Sequence, residues 1–368
     1  MAAEPQLSTG FASGARAPAA LLDEALTMAR AGMGECGEIT AAIILFSPPH
    51  LQLPQEALRR ARADLGCLQF VVGTFPGVFT QDGSALGSSA CAVQLFAAPL
   101  GLAWGRSERS VAEAPFLLWD RPGASLNRYA EACSHGSFGA VGSQFSQWRG
   151  AQGRPISGSL CLQVVGPLHA RSQASRGLRP LTEALPIRRQ QGALLLALER
   201  YSALPLLARN IPYALRQARK LPLDRFVVVE VPEGGDAEPE LLSITATDVG
   251  RSGLWLERPL HPGASVYLAV RDPEVARRDT RLALEALEAA DIEARTAWIS
   301  SSIGRNASFF GQRDDDLALW KERFGRLPML GVYALGEFQP SAMGHTRLLR
   351  FSKVFTIIGK PLRSAVEG

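Results

Sequence analysis

The 368-residue chain is poor in lysine, cysteine and histidine. Only four lysines occur, Lys220, Lys321, Lys353 and Lys360, so arginine carries nearly all of the basic charge. An Arg-rich, Lys-poor and Ala-rich composition reflects a GC-rich coding sequence more than a binding surface. With 39 basic and 35 acidic residues the formal net charge is +4. That balance lacks the basic stripe or basic domain of a nucleic-acid binder. The five cysteines (Cys36, Cys67, Cys91, Cys133 and Cys161) are odd in number, widely spaced and confined to the N-terminal half. This argues against a disulfide framework and for a reducing compartment. Met1 to Pro18 has no apolar segment behind a basic start, so it does not read as a secretory signal. No apolar run approaches the roughly 20 residues that span a bilayer. The expectation is a soluble cytoplasmic protein with no membrane or nucleic-acid partner.

Catalytic and metal signatures are also missing. There is no Gly-x-Ser-x-Gly elbow, no Walker A loop and no Gly-x-Gly-x-x-Gly fingerprint. The histidines His50, His135, His169, His261 and His345 are scattered, and Cys133-x-His135 is the one close Cys/His pair. Nothing supplies further ligands or a nucleophile's partner, so no metal or cofactor is expected. Gly136, Gly139 and Gly142 recur every three residues and read as a tight turn. Asp314-Asp315-Asp316 precedes a helical stretch, where capping and the helix dipole account for acidic residues.

What is present is an ordinary globular composition, 46% hydrophobic and 20% charged. The length suits about two domains. The fold class expected is α/β in the mixed α+β sense: two related domains of mixed sheets with helices packed on their faces. Residues 1–18 read as a flexible leader, 19–222 as the first domain and 223–368 as the second. The boundary is placed at Leu221-Pro-Leu-Asp224.

Periodicity predicts helices over Leu21–Ala31, Pro54–Asp64, Ala193–Arg200, Pro212–Lys220, Pro273–Ala290 and Asp315–Phe324. In the fifth of these, Leu282, Ala286 and Ala289 share one stripe. Strands are predicted at Ala41–Phe46, Gln69–Val72, Cys91–Phe96, Gly158–Val165, Phe226–Glu230, Leu242–Thr247, Ser265–Val270, Thr296–Ile299, Met329–Tyr333 and Val354–Ile358. A polar loop is expected over Gln144–Gly153. Each half contains a strand–helix–strand unit ending in a glycine turn. Such units pair their strands in parallel, and the repetition raises the possibility of an internal duplication.

Three groups of residues stand out as candidate ligand contacts. Gly331-Val-Tyr-Ala-Leu-Gly336-Glu337 runs a strand into a glycine turn that carries a carboxylate. Glycine there permits close approach of a ligand or of another backbone. Arg271 sits at a strand-to-helix junction beside Asp272, itself well placed as an N-cap. Arg305, in the polar loop Gly304-Arg-Asn306, can hold a carboxylate with its guanidinium fork.

These residues carry a resemblance. Ile43-Ile-Leu-Phe-Ser-Pro-Pro-His50 followed by Phe70-Val-Val-Gly-Thr-Phe-Pro-Gly77 is similar to the opening of the FIST family, the F-box and intracellular signal transduction proteins. Gly177-Leu-Arg-Pro180 and Glu199–Leu207 are similar to later parts of its N-terminal domain. Gly263-Ala-Ser-Val-Tyr-Leu-Ala-Val-Arg-Asp272, Ser300-Ser-Ser-Ile-Gly-Arg-Asn306 with Phe310-Gly311, and Pro328–Glu337 resemble three stretches of its C-terminal domain, in order. The resemblance covers nearly the whole chain. The departures are the short Gly73–Gly77 turn, non-cysteine residues near Ser301 and at Gly177-Leu178, and Asn306 where a glycine is common.

The resemblance implies a sensory protein that binds a small ligand, an amino acid or related metabolite, and acts with a separate signalling protein. It implies binding rather than catalysis. The contacts it points to are Gly73, Thr74, Gly77, Arg179, Arg271, Arg305, Gly331, Gly336 and Glu337. The alternatives are a ligand-free protein–protein adaptor and an enzyme without a recognised motif.

Overall fold

The computed structural model describes residues 6–34, 38–48, 52–67, 69–104, 114–120, 137–142, 144–149, 152–155, 160–217, 222–233, 239–340 and 346–362. The fold is mixed α+β. Along the chain come β1 (Leu7–Ser13), α1 (Pro18–Met33), β2 (Ile39–Ser47), α2 (Gln55–Leu65), β3 (Gln69–Thr74), β4 (Gly77–Thr80), β5 (Gly83–Leu86) and β6 (Ala90–Ala97). Six strands follow: β7 (Gly101–Trp104), β8 (Phe116–Asp120), β9 (Ser137–Val141), β10 (Gln144–Arg149), β11 (Gln152–Pro155) and β12 (Leu160–Val165). Then come β13 (His169–Ser175), β14 (Leu178–Pro180), β15 (Leu185–Gln191), β16 (Leu194–Leu198), β17 (Tyr201–Ser202), α3 (Ala203–Asn210) and α4 (Tyr213–Arg216). After these come β18 (Phe226–Val231), β19 (Glu240–Asp248), β20 (Gly253–Leu256), β21 (Ser265–Arg271), α5 (Pro273–Glu288) and β22 (Ile292–Ser302). The last elements are α6 (Ala307–Phe310), α7 (Asp315–Phe324), β23 (Met329–Ala334), β24 (Glu337–Pro340), β25 (Thr346–Leu349) and β26 (Lys353–Pro361).

The chain divides into a first unit, residues 1–176 with 280–368, and a second unit, residues 177–279, inserted into it. The expected boundary at residues 222/223 falls inside the second unit. Residues 7–13, expected as leader, form β1, whose backbone pairs with β6 from Leu7↔Phe96 to Ser13↔Ala90.

The first unit contains the expected repetition, but between two of its sheets rather than between two domains. One sheet has the order β1-β6-β2-β3-β10-β11, the other β13-β26-β22-β23-β4-β5. In each, the central pair is parallel (β2 with β3, β22 with β23) and every other pairing is antiparallel. Alternation along the strands separates two faces. Ala42, Ile44 and Phe46 turn to α1 and α2, whereas Ala41, Ile43 and Leu45 join one core with Trp298, Leu330 and Val332 of the second sheet. On the far side, Ala297, Ile299 and Phe355 pack under Leu284, Leu287, Leu317 and Trp320 of α5 and α7. The layers are therefore helix, sheet, sheet, helix. Each buried Leu, Ile or Phe contributes about 1.5–3 kcal/mol. A third sheet, β25-β24-β9-β8-β12-β7, completes this unit.

The second unit is a small antiparallel barrel. Its strands run β21-β15-β16-β20-β19-β18, and β18 pairs back onto β21 to close the ring. Leu195, Val228, Leu242, Leu254, Val266 and Leu268 fill it, with Leu206 and Leu207 of α3 added to the same core.

Four expectations change here. Ala193–Arg200 is not a helix: Leu194–Leu198 is strand β16, bounded by left-handed residues at Gly192 and Glu199 and paired on both sides. Five leucine-rich residues between such turns are too few for a helix, and sheet pairing overrides their helical propensity. The glycine run at 136–142 is largely strand β9, and the polar stretch 144–153 contains β10 and β11. On α5 the stripe Leu282–Ala286–Ala289 faces solvent, with Leu282 58% exposed. The core instead takes Ala283, Leu284 and Leu287, a stripe with two leucines instead of one. Cys36, Cys133, His50 and His135 lie outside the described residues.

Candidate functional site

Because the two repeated sheets share one topology, their positions can be matched through strand register. On the helix-facing side, at the carboxyl end of each parallel pair, one residue from each of four strands forms a row. In the first sheet the row is Ala12, Cys91, Phe46 and Thr74. In the second it is Ser175, Lys353, Ser301 and Tyr333. The first row holds no charged side chain. The second opens onto a connected set of ionised groups.

Lys353 is the centre of that set. Its side chain is 0% exposed, and lysine is almost never fully buried unless paired. Nζ lies 3.0 Å from both carboxylate oxygens of Asp314 and 3.8 Å from Asp316 Oδ2. Asp314 is the N-cap of α7 and also accepts from the Leu317 amide at 3.1 Å. It takes a third donor, the Tyr333 hydroxyl, at 2.8 Å. Burial, and then the Asp314 charge beside it, push the Tyr333 phenol far above its usual range, so it remains a donor at any physiological pH.

Asp316, two residues on in the first turn of α7, pairs with Arg305. Arg305 Nε and Nη2 donate to its two oxygens at 3.0 and 2.9 Å. The remaining contacts of Arg305 go to the Ser175 carbonyl (2.6 Å), Ser175 Oγ (3.0 Å) and Thr280 Oγ1 (3.3 Å). Glu337 of β24 holds the residue before Lys353: its Oε2 accepts from the amide and hydroxyl of Ser352 at 3.3 and 2.6 Å.

Of the residues singled out from sequence, Arg305 and Glu337 thus lie in the first unit beside this cluster. Thr74 belongs to the matching row of the other sheet. Arg179 and Arg271 belong to the second unit. There Arg179 forms an ion pair with Asp272 at 3.1 Å, and Arg271 donates to the Asp224 carbonyl at 3.3 Å. Asp272 caps α5 as expected, accepting from the Glu274 amide at 2.9 Å.

The four glycines make no cradle. A Cβ on Gly73 would meet the Phe75 and Trp119 rings at 2.9 Å, and on Gly77 the Ala85 carbonyl at 2.5 Å. A Cβ on Gly331 would enter the Phe79 ring, and on Gly336 it would meet Leu348 Cδ1 at 2.8 Å. The close approach that glycine allows is used by the protein's own side chains and, at Gly77, its own backbone.

Sequence reading missed Ser175, Thr280, Tyr333 and Lys353, and took Asp314 and Asp316 for helix-terminus acids alone. One signal was available: Lys353, one of only four lysines, opens the apolar run Val354–Ile358.

Among the described residues no group of three His, Cys, Asp or Glu side chains is placed to hold a metal, and no helix is long and apolar enough to cross a membrane. A groove of about 320 Å3 lies elsewhere, between α5 and α7, lined by Arg281, Leu284, Glu288, Leu319, Glu322 and Arg323. Within it Arg323 pairs with Glu288, and also with Glu285 beside it.

No protein-family model matches the chain. It is similar to an uncharacterized protein of Mycobacterium tuberculosis, 27% identical over 206 residues, which is 53% of this chain and 52% of that relative. An uncharacterized protein of Mycobacterium bovis is 28% identical over 110 residues, 29% of this chain and 28% of its own length. The chain thus spans about half the length, or less, of the curated relatives it matches.

Proposed function

We propose that this chain is a cytoplasmic sensory protein of the FIST type, binding an amino acid or related metabolite and passing that signal to a separate protein. The ligand is assigned to the carboxyl end of β22 and β23, where α/β sheets commonly take ligands. The observation that supports this reading is the contrast between the two rows. Buried charge is a poor source of stability, and the first sheet builds the same topology with Ala12, Cys91, Phe46 and Thr74 in its place. The second sheet has Lys353, Asp314, Asp316 and Arg305 there. Each group is already paired within the cluster, so a charged ligand would bind there by replacing one of these partners. Asp314 is the least buried of these groups, with 9% of its side chain exposed.

The test is thermal melting of the protein against amino acids, dipeptides, nucleotides and common metabolites. A true ligand at a hundred times its Kd stabilises by about 2.7 kcal/mol. The expected result is a shift from one chemical class, reduced in Tyr333→Phe and Asp314→Asn. A panel without any shift, or a shift indifferent to both substitutions, defeats the reading.

A further inference from the structure

The second unit leaves the first after Arg176 and returns at Thr280. Within the first unit these two places touch. Thr280 Oγ1 lies 3.0 Å from Ser175 Oγ and 2.5 Å from Asp316 Oδ1. Arg305 closes over both, bonding the carbonyl and hydroxyl of Ser175, the hydroxyl of Thr280 and both oxygens of Asp316. All four side chains are buried. The partners are far apart in sequence: Ser175 is 130 positions from Arg305 and 105 from Thr280.

The first sheet shows what this arrangement replaces. There β1 passes to α1 through residues 14–17, a short covalent turn, and Ala12 stands where the second sheet has Ser175. In the second sheet the same connection, from β13 to α5, carries the whole inserted unit. A turn that short keeps strand and helix together by itself. A connection of the second kind does not by itself: side chains bridge Ser175 and Thr280, and inside the inserted unit the Asp272 amide donates to the Gly177 carbonyl at 3.0 Å.

We propose that Arg305, Asp316, Ser175 and Thr280 form a latch on the two crossing points of the inserted unit. Opening the latch frees the end of β13 and the middle of α5 while the sheets stay folded. The inference is independent of ligand identity.

The test is hydrogen exchange on the full-length protein, comparing the parent with Arg305→Lys, which keeps the charge and loses the fork, and Thr280→Val, which removes the bridging hydroxyl. Losing these bonds is expected to speed exchange about tenfold in residues 172–176 and 280–284. Protection in β2, β3 and β22 is expected to stay at the parent level. Unchanged exchange in the two segments overturns the latch. So does an equal rise throughout the sheets, which makes these residues ordinary members of the core. Should Arg305→Lys not fold, Thr280→Val decides alone.

Discussion

The two repeated sheets differ most where they correspond best. Strand order, direction and the placement of two helices on the outer face are the same. Yet Cys91 in one row is matched by Lys353 in the other, Phe46 by Ser301 and Ala12 by Ser175. The first sheet meets its helices through apolar contact, and burial pushes the Cys91 thiol well above its ordinary range, leaving it unreactive. The second also packs on its helices through apolar contact, but at this row it meets them through ion pairs anchored on α7. A single topology thus accepts either chemistry.

The largest expected effect comes from making the second row resemble the first. Lys353→Met leaves the Asp314 and Asp316 carboxylates buried with one cation between them, and should cost about 3–5 kcal/mol in urea unfolding. A loss below 1 kcal/mol would mean that the row is wetter than its burial indicates.

A middle effect sharpens the match between β3 and β23. Val72 and Gly331 occupy corresponding places, opposite Ile44 and Ile299. The Phe79 ring fills the space over Gly331, so Gly331→Ala should destabilise by about 1–3 kcal/mol through overpacking. Gly331→Ala combined with Phe79→Leu should recover part of that loss, since the ring is what the new methyl meets.

The smallest effect lies outside both sheets, in the barrel, and serves as their control. Burial raises the pKa of Glu230, but the amide and ring of His261 and the Arg258 guanidinium outweigh burial and leave it lowered. A carboxylate lowered on folding stabilises at pH values above its unfolded pKa of about 4.3, and that stability is lost as the pH falls through the folded value. Acid titration of the melting temperature should therefore show Glu230→Gln closing its gap with the parent below pH about 4. A gap constant from pH 7 to 3 would assign the role of Glu230 to shape.

Much of this architecture was legible beforehand. Continuous apolar runs such as Ala41–Phe46 and Val354–Ile358 became central strands, and the helix over Asp315–Phe324 has the expected limits. Local signals sufficed there, because a strand buried on both faces and a capped amphipathic helix each follow from their own residues. Leu194–Leu198 misled because its leucines suit either structure and only its pairing partners decide. The insertion was hidden for a related reason: β13 and β26 are neighbours through a register that no local pattern encodes. At the candidate site, Arg305 and Glu337 were recognisable as polar residues next to glycine turns. Their companions were not, since Ser175 and Thr280 are unremarkable alone and gain meaning only when the fold sets them side by side.

The contact between Ser175 and Thr280 has one more consequence, for the history of such a chain. To the host sheets, the barrel is a closed loop whose ends already meet. The entropy of closing a loop grows only with the logarithm of its length, so the host is nearly indifferent to how much chain lies between those two hydroxyls. The site is a socket. Any replacement for residues 177–279 would also have to supply the first turns of α5, residues 273–279.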